Sequence, residues 1–450
     1  MDNQANVAVH SFGNDLPVWD LTDLYDGIES SDLACDLEAA ESRADVFARD
    51  YMGQLATLEP DEFGGAIQEF EDFDERLSRI MSYAQLLFAA NSEDGEIATF
   101  YQNMGERVTA VSAKTLFFEL EINRLKDAEI EAFLSSAAVV RYKPWLENVR
   151  VHKPHQLSDE VERLLHEKSV TGRSAWSRLF DETMAGLRFK LNGRELTNSE
   201  IMTRMSDAKE ANRKAASKAF AKGLEDNIRL FALITNTLAK DKEIEDTWRK
   251  LPRPVSARNL ANQVEDDVVD ALSNAVRSAY PDLSHRYYRL KAEWMGKDRL
   301  NYWDRNAPLP EADHTRIEWP RAQETVLGSY AAFEPTLGQI AGQFFDKAWI
   351  DAAPRSGKNS GAFSHPTVPG AHPYILINYH GKPRDVMTLA HELGHGIHQV
   401  LAAPQGHFLA NTPLTLAETA SVFGEMLTFQ SMLGSAQGAT ARRVMLASKV

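Results

Sequence analysis

The chain has 450 residues, of which 43% are hydrophobic and 25% are charged, proportions typical of a soluble globular protein with a substantial core. We find no apolar run near the roughly 18 residues needed to span a bilayer, and no secretory signal. A single cysteine excludes an intrachain disulfide. We therefore expect a cytoplasmic protein without a membrane partner. The net charge of −16, concentrated in residues 1–100 with 23 acidic and 4 basic side chains, disfavours nucleic acid as a partner.

The first half of the chain predicts long helices. Only four of the 18 prolines precede residue 251, and an interior proline breaks a helix. Apolar residues follow the helical spacing over 63–87, and similar patterns run through 98–140, 209–245 and 263–295. The fold class is therefore mainly α.

A β-hairpin is predicted near the middle of the chain. Two short strands, 187–191 and 194–196, flank an Asn-Gly pair that tolerates the positive φ angles of a type I′ turn. Thr197 and Glu200 then form a capping box that starts the next helix. We place a domain boundary here, dividing an N-terminal helical domain, 1–195, from a second domain, 196–450.

Two less regular stretches follow. Residues 302–320 contain three prolines and predict a surface loop. The Gly- and Pro-rich segment 351–383 encloses a run of strand composition, which is either part of a small structural sheet or an edge strand that offers its backbone to an extended peptide. The candidate substrate residues are Tyr374, Ile375, Leu376, Ile377, Asn378 and Tyr379.

The motif His391-Glu-Leu-Gly-His395 carries the clearest chemistry. Apolar residues at 386, 389, 390, 393, 397 and 400 place the motif on an amphipathic helix. Residues four apart share a helix face, so His391 and His395 can bind one metal ion. In motifs of this type the glutamate acts as general base, which makes Glu392 the candidate for that role.

A third ligand is needed, together with an open position for water. The metzincin spacing requires Gly at 398 and His at 401, where this chain has His398 and Leu401. Glu418, in a helix predicted to start near Thr415, is the candidate, although Thr415 and Glu418 also match a capping box. Glu425, two turns further on, either supports a ligand histidine or is an exposed carboxylate. His398 is a candidate for a supporting or substrate-facing role.

Three stretches resemble the oligoendopeptidase F family of thimet-type oligopeptidases: DLPVWDLTDLYDG, SGAFSHPTVPGAHPYILINYHGKPRDVMTLAHELGHGIHQ and TPLTLAETASVFGEML. The resemblance implies a multi-helix, two-lobed fold with a deep channel and a small β-element beside the metal helix. It also implies a cytosolic zinc endopeptidase that cuts short peptides, with one Zn²⁺ per chain and 196–450 as the catalytic domain. By the same resemblance, His391, His395 and Glu418 are the zinc ligands and Glu392 is the catalytic carboxylate.

Members of that family continue beyond the second glutamate helix and supply Tyr and His groups that contact the substrate carbonyl. We expect the equivalent groups to lie beyond Val450, so that the chain is either incomplete at its C-terminus or unusually short. Two alternatives remain open. One is a metallocarboxypeptidase or dipeptidyl carboxypeptidase, and the other is a zinc- and peptide-binding module without catalysis.

Overall fold

The computed structural model describes residues 16–312 and 316–449, and the described part is mainly helical, as predicted. Residues 1–15, and residues 313–315 of the predicted 302–320 loop, lie outside it. The helices of this part are α1 Ser31–Tyr51, α2 Pro60–Ala90, α3 Gly95–Thr115, α4 Phe117–Arg124, α5 Asp127–Phe133, α6 Ala137–Val140, α7 Lys143–Val151, α8 Asp159–Lys168, α9 Arg173–Gly186, α10 Asn198–Arg204, α11 Glu210–Asp226, α12 Ile228–Trp248, α13 Ser256–Ala261, α14 Asp266–Ala279, α15 Ser284–Trp294, α16 Trp319–Phe333, α17 Pro335–Asp346, α18 Pro383–Ala402, α19 His407–Ala410, α20 Leu414–Ser435 and α21 Gly438–Lys449. Its strands are β1 Phe189–Leu191, β2 Arg194–Leu196, β3 Ile350–Asp351, β4 Phe363–His365 and β5 Tyr374–Leu376.

The N-terminal helices pack around an aromatic core. The helix predicted over 63–87 is α2, which is longer at both ends and carries Pro60 in its first turn, where a missing N–H costs nothing. Phe63 stacks on Phe133 with ring centroids 4.2 Å apart, and Phe70 contacts Phe118 at 4.9 Å. The predicted helical stretch 98–140 is divided into α3, α4, α5 and α6.

The hairpin in the middle of the chain is confirmed. Strands β1 and β2 pair antiparallel around Asn192 and Gly193, which have φ angles of 51° and 75°. Thr197 caps α10, and its N–H donates to Glu200 Oε2 at 2.8 Å. The proposed division into two domains near residue 195 stays a prediction.

A small sheet with strand order β3-β5-β4 lies beside α18, the metal-motif helix that carries His391 and His395. β3 runs parallel to β5, and β4 runs antiparallel to it. The prediction of a peptide-binding edge strand over 374–379 is wrong, because β5 is shorter, central and paired on both sides. Tyr374, Ile375 and Leu376 are fully buried, as the unbroken apolar run indicates for a strand covered on both faces. The outer strands of this sheet are β3 and β4, which flank β5.

Within the described residues, no helix combines the length and apolar character that crossing a membrane demands.

Candidate metal centre

The helix α18 presents both motif histidines on one face. It starts at Pro383, and the N–H of Lys382 donates to Asp385 Oδ2 at 2.9 Å, which satisfies one of the amides before the first turn. The opposite face is anchored in the core by buried apolar residues, which are Val386, Leu389, Ala390, Leu393 and Ile397. Because this face fixes the rotation of the helix, His391 and His395 point away from the core with ring centroids 5.0 Å apart.

Glu418 reaches the two imidazoles from α20. Its Oε2 lies 3.3 Å from His391 Nε2, and its Oε1 lies 3.7 Å from His395 Nε2. Candidate ligand atoms of the three residues all lie within 4.8 Å of one another. The helix begins at Leu414, close to the predicted start, but Thr415 is not its cap: the N-cap is Pro413, and the Thr415 hydroxyl donates to Asn262 O.

These positions fit a divalent metal ion. Two nitrogens and one oxygen are a donor set that zinc accepts, and bonds of about 2.0–2.1 Å in tetrahedral geometry separate neighbouring ligand atoms by about 3.4 Å. The two oxygen–nitrogen distances, 3.3 and 3.7 Å, bracket that value. Glu418 is also about half exposed, at 51% of its side-chain surface, so the cluster opens to solvent on its side.

Close contact between α18 and α20 brings the carboxylate within reach. A Cβ added to Gly394 would lie only 2.7 Å from Ala420 O and from Ser421 Cα, so a side chain there would push the helices apart. One turn along α20, a Cβ on Gly424 would overlap the Tyr330 hydroxyl, which donates to Ala390 O of α18 at 2.7 Å. The sequence signal for this close contact is the glycine inside the motif, because glycine is a poor helix former.

The surroundings shift the pKa values of two groups, one beside the cluster and one in it. Burial, and secondarily the charge of Glu418, raises the pKa of Glu392 to about 7. The Glu392 side chain is almost fully enclosed, with 6% of the residue exposed. Burial also lowers the pKa of His395 despite the opposing charge of Glu418. A neutral imidazole is the form that binds a metal.

The other predicted residues occupy different positions around the cluster. Glu425 Oε2 lies 3.3 Å from His391 Nδ1, and its Oε1 lies 2.5 Å from Lys449 Nζ. His398 is not part of the three-residue cluster, although its charge contributes to the lowered pKa of His395. Asn378 turns to the loop before β4, where its amide donates to the carbonyls of Asn359 and Gly361.

β4 connects the sheet to the metal-motif helix. Ile375 donates its N–H to Trp349 O on the β3 side. The backbone N–H and C=O groups of Tyr374 and Leu376 therefore point toward β4. Ser364 lies opposite Ile375, so its backbone N–H and C=O groups point away from β5. Gln399 of α18 donates to Ser364 O at 3.2 Å. The backbone of β4 therefore runs beside the helix that carries both histidines.

Two histidines and one glutamate on packed helices form a ligand set that metallopeptidases use. Comparison with known families is more specific. Residues 121–189 match the family model described as Oligopeptidase F, and residues 203–438 match Peptidase family M3. The chain therefore belongs to peptidase family M3, in its oligoendopeptidase F group.

Individual relatives agree with this assignment. Oligopeptidase PepF of Bacillus subtilis is 24% identical over 86% of this chain and 58% of its own length. Group B oligopeptidase PepB of Streptococcus agalactiae is 26% identical over 92% of this chain and 69% of its own length. The chain thus spans about three fifths to seven tenths of these two relatives.

Solved structures share the fold. Oligoendopeptidase-F from Enterococcus faecium superposes with a TM-score of 0.63 at 19% identity, covering 92% of this chain and 70% of that one. PZ peptidase A gives a TM-score of 0.69 at 16% identity over 89% of this chain and 68% of that one. The predicted fold class is confirmed.

Proposed function

We propose that this chain is a zinc-dependent endopeptidase that hydrolyses internal bonds of short peptides. The observation that carries the proposal is the His391–His395–Glu418 cluster, whose candidate ligand atoms lie within 4.8 Å of one another. Membership of peptidase family M3 supports the reaction class, and the names of the relatives favour oligopeptides. In this proposal residues 196–450 form the catalytic unit, 1–195 form the N-terminal helical unit, and the protein acts in the cytoplasm.

Two imidazoles and one carboxylate would hold the zinc ion. When bound, zinc lowers the pKa of water and polarises a peptide carbonyl. Glu392 accepts the proton of the attacking water and delivers it to the leaving amine. Glu425 accepts a hydrogen bond from His391 Nδ1 and so directs Nε2 toward Glu418.

The backbone of β4 replaces the predicted 374–379 strand as the element that would position the peptide. The Ser364 N–H points away from β5, so an extended peptide could add alongside β4 and gain a fixed register from backbone hydrogen bonds. Since Gln399 already donates to the Ser364 carbonyl, the peptide would compete with that side chain for one of the contacts. We therefore assign no direct substrate contact to 374–379.

The decisive experiment separates metal binding from turnover. In Glu392→Gln, zinc content should remain at one per chain, while cleavage of an internally quenched, end-blocked peptide should fall by roughly 10²–10⁴-fold, the usual contribution of a general acid–base group. Glu225→Gln, at an exposed position on α11, is the matched control and should cleave like the parent. A Glu392→Gln protein with full activity would remove the general-base role, and a parent that takes up no zinc would remove the whole proposal.

The same measurements address the alternatives. An exopeptidase, whether a metallocarboxypeptidase or a dipeptidyl carboxypeptidase, should fail on peptides with a blocked C-terminus. Because the chain spans 58% of the length of PepF, a zinc- and peptide-binding unit that needs further residues for turnover is a second candidate. Saturable peptide binding without chelator-sensitive cleavage would favour that candidate.

A further inference from the structure

A cavity of about 570 Å³ lies where the N-terminal helices meet β4. Its walls come from the C-terminal end of α2, one face of α9 and the loop that leads into β4. The volume falls in the range of sites that bind small ligands, so it is more than large enough for one long side chain. Phe363 of β4 lines the cavity, so a peptide lying along that strand would pass its mouth.

The cavity is held open by hydrogen bonds rather than left between loosely packed elements. Asn359 donates its N–H to Ala89 O at 2.8 Å, and Ser92 donates to Gly357 O at the same distance. The Asn378 amide holds the other side of the loop through Asn359 O and Gly361 O. These bonds fix the wall before any ligand arrives, which lowers the entropic cost of binding.

One part of the wall is aromatic. Phe88 and Tyr101 stack with their centroids 4.8 Å apart, and both line the cavity together with Met184. Phe180 also lines it and keeps 43% of its surface exposed. Such surfaces accept the aliphatic stem of a long side chain and attract a cation to the ring faces.

The charges along α9 are not balanced. Arg178 pairs with Glu182 at 3.5 Å, whereas no Lys or Arg among the described residues forms an ion pair with Asp181. Partial desolvation, and then the charge of Glu182, raises the pKa of Asp181. Arg173 lines the cavity two helical turns earlier, about 12 Å away along the axis. Arg178 also lines the cavity, one turn before Asp181, but Glu182 already balances its charge. Within the described part of the chain, the Asp181 carboxylate therefore stays without an ion-pair partner at this end of the cavity.

We propose that this cavity binds a lysine or arginine side chain of a peptide lying on β4, with the stem against Phe88, Tyr101 and Phe180 and the charge beside Asp181. The inference rests on the proposed function and adds a substrate preference to it: a basic residue at one fixed position relative to the cleaved bond. The side chain would exchange no proton and form no covalent bond.

Calorimetry with defined peptides tests this preference without turnover. The probes are end-blocked octapeptides that are identical except for one Lys, norleucine or Glu, placed at each position in turn. They are titrated into zinc-loaded Glu392→Gln protein. At one position Lys should bind roughly fivefold more tightly than norleucine, as expected for a partly exposed ion pair of about 1 kcal/mol, and Glu should bind more weakly than both.

Two variants locate the effect. Asp181→Asn should abolish the Lys preference at that position, and Ser177→Trp should do the same by filling the cavity from an exposed position on α9. Asp241→Asn removes an equal charge from the exposed surface of α12 and should leave the preference intact.

Equal binding of Lys and norleucine at every position, or a preference that survives Asp181→Asn, would overturn the inference. Zinc-dependent cleavage of blocked peptides without a charge preference would overturn it while leaving the proposed function in place. A Lys preference in a protein that never cleaves would instead count against the proposed function alone.

Discussion

The two helices that meet at the metal cluster are held in place by different means. α18 is anchored by a wide apolar face, with five buried apolar side chains packed on the sheet and neighbouring helices. α20 buries only Ser421, Gly424, Thr428 and Phe429 among its described residues, while large apolar side chains on it, such as Leu416 and Phe423, stay exposed. The histidines therefore depend on the core of the protein, and Glu418 depends on a narrow strip of small residues.

The largest expected effect tests the difference in burial. Leu393 on α18 is fully buried, whereas Leu416 on α20 is 59% exposed. Leu393→Ala should lower the free energy of unfolding by about 2–5 kcal/mol, because it removes buried methyl groups and leaves a cavity. Leu416→Ala should change it by less than about 0.5 kcal/mol. Urea denaturation of the two variants measures both values, and similar losses would show that α20 is as firmly packed as α18.

The next effect tests the contact between the helices. Gly394→Ala should weaken zinc binding by about 10–100-fold, the range seen when groups around a metal site are disturbed, because the new Cβ would press on Ala420 and Ser421. Competition with a chromophoric chelator measures the affinity. Gly434→Ala is the control, since a Cβ at that position of α20 meets nothing within 4 Å.

Alanine is the better helix former at both positions. A loss confined to Gly394→Ala would therefore arise from the spacing between the helices and not from the stability of either one. Unchanged affinity in Gly394→Ala would contradict the view that close approach places Glu418.

This contrast also explains which features the sequence could predict. α18 and the hairpin at Asn192–Gly193 follow from local signals: an apolar stripe, a capping interaction and two residues that tolerate positive φ. For Glu418, the local Thr415-x-x-Glu418 pattern favoured a helix cap, and only the motif at His391–His395 favoured a metal ligand. Glu418 is brought to the histidines by the packing of Gly394 against Ser421. This contact joins two different helices, so no local pattern predicts it.

The sheet shows the same limit. The run from Tyr374 was correctly predicted as strand, but its unbroken apolar character indicated a central strand and not an edge. β4 has only three residues, Phe363–His365, and one of them is a serine, so no periodic pattern could identify it. The cavity beside it is built from segments far apart in the chain, and no short sequence pattern describes such a site.

A smaller effect concerns the pH dependence of stability at His365, on the strand β4 that lies beside α18. His365 Nδ1 accepts the N–H of Thr367 at 3.0 Å, which requires the neutral ring, and burial lowers the pKa of His365 to about 4. The unfolded chain, with a histidine pKa near 6.5, therefore binds more protons than the folded chain between about pH 6.5 and 4. The stability contributed by this residue is present above that window and is lost as the pH falls through it.

We expect a loss of about 1–2 kcal/mol between pH 7 and pH 5, reduced from the full linkage value because the ring is partly exposed. Urea denaturation at the two pH values should show this loss in the parent, and a smaller one in His365→Gln. Equal pH dependence in the two proteins would mean that another group titrates.

The smallest effect concerns the support that α20 gives to a histidine of α18. Glu425→Gln should weaken zinc binding by about tenfold or less, because the amide still accepts a hydrogen bond from His391 Nδ1 but no longer carries the charge that raises the basicity of the ring. Lys449→Met is the informative partner, since Lys449 Nζ shares the same carboxylate at 2.5 Å. Removing that cation leaves the whole negative charge to His391, so chelator competition should show zinc affinity that is unchanged or higher. If both variants lost affinity equally, the ion pair would act by holding α21 against α20, and Glu425 would have no separate role in orienting His391.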